Sequence, residues 1–153
     1  MKNRNLDHKD TWATPKWFYD KLDAEFHFDF DPCPLNPTFD GLASNLGWGL
    51  RNFINPPYSQ KLKEAFIHKA LEESRKGKLC VMLLPVSTST KIFHEVIKPN
   101  AKEIRFVKGR IKFNYCGIHD PKRNGGMHDS MIVIFNLTPS PTTGRVEICH
   151  GGV

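Results

Sequence analysis

Nowhere in its 153 residues does the chain carry an apolar run approaching the roughly 18 residues needed to cross a bilayer. Its opening stretch, MKNRNLDHKDTW, has no apolar segment able to act as a secretory signal, so a cytoplasmic protein without a membrane partner is expected. Cysteine is scarce and scattered. Cys33, Cys80, Cys116 and Cys149 include no CxxC pair, which argues against a disulfide framework and against a four-cysteine zinc site. Acidic residues are the minority charge: 16 Asp and Glu against 22 Lys and Arg give a formal net charge of +6. That balance favours a polyanionic partner. Repeats and low-complexity tracts are absent too, and 39% apolar with 25% charged residues is the composition of an ordinary globular core.

What is present divides into a polar tail over residues 1–11, expected to be mobile, and one domain over 12–150. In ATPKWFYDKLDAEF, Thr14 can cap and Pro15 suits a first helical position. Trp17, Phe18, Leu22 and Phe26 then recur near helical spacing. Residues 26–31, FHFDFD, alternate as a strand does and stop at Pro32; residues 32–50, rich in Pro, Gly and Asn, read as loop. A short strand at 52–54 precedes a helix over about 60–76 closed by Gly77. LCVMLL at 79–84 and MIVIF at 131–135 are continuous apolar runs, the pattern of strands covered on both faces. Between them lie a short helix at 90–98 and a strand at 103–107, and VEICH at 146–150 reads as a weak edge strand. Alternating strands and helices predict an α/β domain with a mostly parallel sheet and helices on both faces.

Charge concentrates in one segment. Residues 108–130 hold Lys108, Arg110, Lys112, Lys122 and Arg123 against two acidic residues, with Phe113 and Tyr115 interleaved. Such a mixture suits a loop facing nucleic acid, the cations meeting phosphates; a solvated basic loop is the competing reading. Phe113 and Tyr115 either touch a base or pack inward. Lys61 and Lys63, just inside the helix that starts near residue 60, lie either near a DNA backbone or in solvent. Cys116, His119 and His128 share the segment, but a fourth ligand is missing and the spacing fits no common zinc site, so no metal is expected.

The strongest local signal is FINPPYSQ at 53–60. Pro56 and Pro57 end the strand, forbid a helix before Pro57 and leave a stiff extended backbone. At the carboxyl end of a strand in an α/β sheet, where ligands bind, Asn55 offers an amide oxygen, and a backbone carbonyl beside the prolines offers another. Two acceptors suit one NH2 group, and Tyr58 gives a planar base a face to stack on once it has been flipped from its helix. A plain turn with Tyr58 packed on the core is the alternative.

NPPY after an apolar strand resembles the motif of S-adenosylmethionine-dependent amino-methyltransferases. Further likenesses run in order over roughly residues 11–136. WATPKWFYDKL (12–22) is similar to the segment lining the methionine end of the cofactor. FDFDPC (28–33) resembles the first cofactor motif, and DGL (40–42) the acidic turn near the cofactor adenine. GRIKF (109–113) and MHDSMIVIF (127–135) fit late segments of the small phage-type DNA N-6-adenine-methyltransferases. The resemblance implies S-adenosylmethionine as cofactor, held by Trp12, Thr14, Pro15, Asp31, Pro32, Cys33 and Asp40. It implies duplex DNA as partner and a catalytic set of Asn55, Pro56, Pro57 and Tyr58, in a protein encoded by a phage or mobile element in a bacterial host.

One departure from the usual pattern stands out. No glycine-rich turn follows the first strand, and 21 residues between Cys33 and Asn55 leave no room for two βα units. A reduced Rossmann-like fold is therefore expected, its early strands and helices missing, with Asp40 or the Trp12 segment taking over cofactor contacts. Little room remains for a separate reading domain, so recognition is expected to be short or loose unless two subunits share the duplex. Two rivals stay open: methylation of RNA or of a protein glutamine, and a DNA-binding module that no longer turns over.

Overall fold

Successive side chains of a strand point to opposite faces, and Phe53 and Ile54 each seed a separate core. In the computed structural model, which describes residues 12–112, 114–115 and 128–137, both belong to β2, Arg51–Ile54. Upstream lie β1, Trp12–Ala13, and α1, Lys16–Phe26; downstream α2, Gln60–Ser74, leads into β3, Leu79–Pro85. A π-helical turn, Phe93–Ile97, runs into the short α3, Lys98–Asn100, followed by β4, Glu103–Phe106, β5, Asn114–Tyr115, and β6, Ser130–Phe135.

Four strands form one sheet in the order β2-β3-β6-β4, and β1 pairs antiparallel with β5 in a separate two-stranded ribbon that the sequence did not suggest. Among the described strands only β2 and β3 run parallel, Ile54 opposite Met82, as the α2 crossover requires. β6 is antiparallel to both neighbours, with Val81 opposite Ile134 and Ile104 opposite Val133. The expected mostly parallel sheet is thus corrected to a mostly antiparallel one. Its cause is instructive: a continuous apolar run reports burial on both faces, which β6 has along its whole length, but carries no information on direction.

Helices do cover both faces. α1 lays Phe18, Leu22 and Phe26 against Phe53, Val81, Leu83, Ile132 and Ile134; α2 sets Phe66, Ile67, Ala70 and Leu71 against Ile54, Met82, Leu84, Met131 and Val133. Trp17, expected in the α1 stripe, is exposed instead, with the Lys21 ammonium 5.4 Å from its ring centre. The FHFDFD segment is reduced to a single parallel bridge, Phe30 to Asn52, at the open side of β2. So the first strand is followed directly in space by β2, the abbreviated order anticipated from chain length. The helix anticipated at 90–98 widens into a π turn just before Pro99, which lacks an N–H and crowds the carbonyl four residues back. The tail at 1–11 and the edge strand at 146–150 lie outside the described residues.

Buried charge ties the loop after the bridge to this frame. Glu73, wholly buried on α2, accepts from Lys78 Nζ at 2.8 Å and from the Trp48 backbone N–H at 3.3 Å, with Lys69 and Lys76 each 3.4 Å away. Burial opposes its charge, but the Lys78 hydrogen bond, the Trp48 N–H and the surrounding ammonium groups together hold its carboxyl below the usual range. Lys78 also donates to Trp48 O, and the Trp48 indole donates to Gly41 O at 2.9 Å. Gly41 in turn sits where a Cβ would come within 1.9 Å of Pro32 O. Any larger residue there must push Pro32, and Asp31 beside it, out of place. Gly41→Ala is therefore expected to lower the melting temperature by several degrees, read by calorimetry; an unshifted melt would disprove the coupling.

Candidate active site

Because β2 and β3 are parallel and adjacent, their carboxyl ends open side by side, and the Asn-Pro-Pro-Tyr turn leaves from one of them. Asn55 is held from an unexpected direction. Its Nδ2 donates to Thr14 Oγ1 at 3.1 Å, which turns the amide oxygen to the other side. Thr14 does not cap α1; Pro15 takes the N-cap position and no side chain bonds there, so the hydroxyl serves Asn55 instead.

A cleft of about 200 Å³ lies against this pair, lined by Ala13, Thr14, Tyr19, Asp31, Cys33, Leu35, Phe53 and Asn55. Asp31 Oδ1 accepts from the Cys33 backbone N–H at 2.8 Å, a tight turn at the end of the bridge segment. Burial raises the Asp31 carboxyl to about 6, opposed by that N–H. The same burial, reinforced by Asp31, pushes the Cys33 thiol to about 12, so it serves as apolar wall rather than nucleophile. Tyr19 is raised by burial and by Asp23, Asp31 and Asp20, and its ring stands edge-on to Phe53 at 5.2 Å.

Of the residues expected at a cofactor, Thr14, Asp31 and Cys33 come together here with Asn55. Pro15 and Pro32 are buried beside them. Trp12 is described only through its backbone pairing with Tyr115. Asp40 sits elsewhere, in a turn where its carboxylate accepts from Leu42 N–H at 3.0 Å, and is not among the lining residues. Tyr19, Leu35 and Phe53 were missed. Tyr19 had a signal: three positions before Leu22, it borders the apolar stripe of α1.

A second hollow adjoins the first across Asn55. It measures only about 20 Å³, room for a water molecule, between Asn55, Pro56, Pro57, Tyr58, Lys63, Leu83, Leu84, Pro85, His128 and Ser130. The Tyr58 and His128 rings face each other with centres 6.3 Å apart and planes tilted 34°. The reversed direction of β6 explains His128: Ser130, at its start, pairs with Pro85 at the end of β3. Val86 N–H donates to Asp129 O at 2.8 Å and Val107 N–H to Ser130 O at 3.0 Å, fixing this corner.

Lys61 is exposed at the start of α2, and Lys108, Arg110 and Lys112 are exposed beyond β4, around a buried Ile111 that anchors them to the sheet. Arg110 Nε lies 3.3 Å from Asp129 Oδ1, beside His128, so the basic edge borders the smaller hollow. Phe113, Lys122 and Arg123, like Cys116 and His119, lie outside the described residues. Among the described residues no group of His, Cys, Asp and Glu could hold a metal ion, and no helix is long and apolar enough to cross a membrane.

A family model described as DNA N-6-adenine-methyltransferase matches residues 2–147, nearly the whole chain. The chain belongs to the DNA N-6-adenine-methyltransferase family. A member from Haemophilus phage HP1, named DNA N-6-adenine-methyltransferase, is 33% identical over 150 residues, covering 87% of this chain and 82% of its own. No solved structure matches. The family match spans both hollows and the basic edge, and the reduced α/β architecture is the form this member takes.

Proposed function

We propose that this protein transfers a methyl group from S-adenosylmethionine to N6 of an adenine flipped out of duplex DNA. Family membership supports the reaction and its DNA substrate; it makes RNA or glutamine methylation and a non-catalytic module the weaker readings. The observation that carries the mechanism is Asn55, shared by the two hollows and held by Thr14.

The larger cleft fits the cofactor. It pairs one carboxylate, Asp31, with an apolar and aromatic wall of Leu35, Tyr19 and Phe53, as a cationic molecule with a planar base requires. Bound there, S-adenosylmethionine supplies an electrophilic methyl on a sulfonium. Asn55 Oδ1 and the carbonyl beside Pro56 accept from the adenine amine, countering delocalisation of its lone pair into the ring, and Tyr58 stacks on the base. An amide is no base at neutral pH, so the extra proton leaves the product amine for solvent after the carbon–nitrogen bond has formed and the carbon–sulfur bond has broken. Lys61, Lys108, Arg110 and Lys112 meet phosphates, and Lys122, Arg123 and Phe113 belong by sequence to the same DNA-facing segment. The 20 Å³ hollow must widen, its Tyr58 and His128 rings parting to admit the base.

The decisive experiment is incubation with labelled S-adenosylmethionine and separate unmethylated DNA, RNA and protein pools. Label in N6-methyladenine of DNA is expected; label confined to RNA or protein, or none at all, overturns the reading.

Asp31 adds a pH signature. With its carboxyl near 6, the group is neutral in more acidic solution and cannot pair with a cation. Cofactor affinity should fall about tenfold per pH unit below that value, and binding near pH 6 should release a proton, seen by calorimetry in buffers of different ionisation heat. The sign for stability is opposite. A carboxyl raised in the fold contributes most below its unfolded value, and this contribution is lost as pH rises through about 6, until a cationic ligand restores it. Affinity that is flat from pH 5 to 8 would rule out Asp31 as the cation's partner.

A further inference from the structure

Ala13 and Thr14 belong to two parts of the molecule at once. Both line the cofactor cleft, and the Thr14 hydroxyl accepts from Asn55 Nδ2 at 3.1 Å. Yet Ala13 also ends β1, whose main chain pairs antiparallel with β5, Ala13 opposite Asn114 and Trp12 opposite Tyr115. β5 continues the basic edge. Lys108, Arg110 and Lys112 are exposed shortly before it, and Ile111 among them is buried with Phe18, Leu22 and Phe53. One wall of the cleft is therefore tied by main-chain pairing to the segment that carries the cations, although the two lie far apart in the chain.

The tie is weak by construction. It is a sheet of its own, two strands of two residues each, outside the four-stranded sheet. An isolated two-stranded pairing is marginal in water even at greater length. Opening this one sacrifices few main-chain hydrogen bonds, so its paired and open forms lie close in free energy. An equilibrium so poised responds to small biases. Cofactor bears on the β1 side, through Ala13 and Thr14; a phosphate bears on the β5 side, through Lys112, two positions before Asn114.

We propose that the ribbon of β1 and β5 couples the two substrates: duplex DNA on the basic edge favours the paired form, which holds Ala13 and Thr14 in the cleft wall, and bound cofactor favours DNA in return. Asn114 and Tyr115 are then positioning residues, acting through their main chain on Thr14 and hence on the Asn55 amide. The inference rests on the methyltransferase reading above. Coupling is reciprocal by thermodynamic necessity, so one factor must describe both directions.

The test uses S-adenosylhomocysteine, the demethylated cofactor, which binds without reacting, and a short adenine-containing duplex. By calorimetry, wild type should bind each ligand about 5–150-fold more tightly when the other is present, and by the same factor. Asn114→Pro combined with Tyr115→Pro removes both β5 donors and should bring the factor close to one while each ligand still binds alone. Asn114→Ala combined with Tyr115→Ala keeps the donors and should keep the factor, which separates main-chain pairing from side-chain loss. Hydrogen exchange on wild type needs no variant: S-adenosylhomocysteine alone should slow exchange at Asn114 and Tyr115, and DNA alone at Trp12 and Ala13. A factor of one in wild type, a factor unchanged in the proline variant, or protection confined to the strand each ligand touches overturns the proposal. A protein that binds neither ligand fails the methyltransferase reading itself, a separate result.

Discussion

Asn55→Ala is expected to slow methyl transfer by about 10²–10³-fold and to leave the melting temperature within a few degrees of wild type. The magnitude is that of removing one preorganised hydrogen-bonding group aimed at charge developing in a transition state. The fold survives because Asn55 is only partly buried and its described side-chain bond, to Thr14, belongs to the site rather than to the core. Asn55→Asp retains oxygen acceptors and should keep far more activity than the alanine variant. Thr14→Val removes the hydroxyl that orients the amide and lines the cleft, so it should lower turnover less than Asn55→Ala does and weaken cofactor binding as well. Single-turnover kinetics with labelled cofactor distinguishes these. Wild-type rates in Asn55→Ala would exclude the amide from the chemistry.

The largest loss of stability is expected from Glu73→Ala, on the order of 3–5 kcal/mol, because it leaves Lys69 and Lys78 largely buried without their carboxylate. Denaturant unfolding would measure it. Direction with pH follows from the lowered carboxyl: its contribution is intact above the unfolded carboxylate range and is lost as pH falls through the folded value, so the gap between wild type and variant should narrow in acid. A second effect reaches the cleft through Trp48, Gly41 and Pro32, so cofactor binding should weaken as well. A variant as stable as wild type would mean that the lysines find solvent at no cost.

The parts legible in the sequence were those governed by local rules. Consecutive prolines dictate the turn at Asn55 whatever surrounds them, and the burial of β3 and β6 follows from their unbroken apolar runs. Helix α2 was legible from its period and from Gly77, whose φ of 91° closes it. The direction of β6 was not, since no residue type encodes it; yet that direction is what delivers His128 and Ser130 to the small hollow beside Tyr58. Asp40 and Asp31 look alike in sequence, each an acid in a Pro- and Gly-rich stretch. Both carboxylates also accept from the N–H two residues on, and only tertiary placement puts Asp31, but not Asp40, in the lining of the cleft. The pairing of β1 with β5 was equally hidden, as two-residue strands leave no periodic trace.

The position of β3 at the centre of the sheet bears on how the chain is made. It leaves the ribosome soon after β2, its parallel partner, but well before β6, which pairs with six of its seven residues. Until Ser130–Phe135 has emerged, that flank of a wholly apolar strand has no neighbour and is a template for association with other nascent chains. Synthesis halted short of residue 130 should therefore yield insoluble fragments, and chaperone demand should peak in that interval of translation.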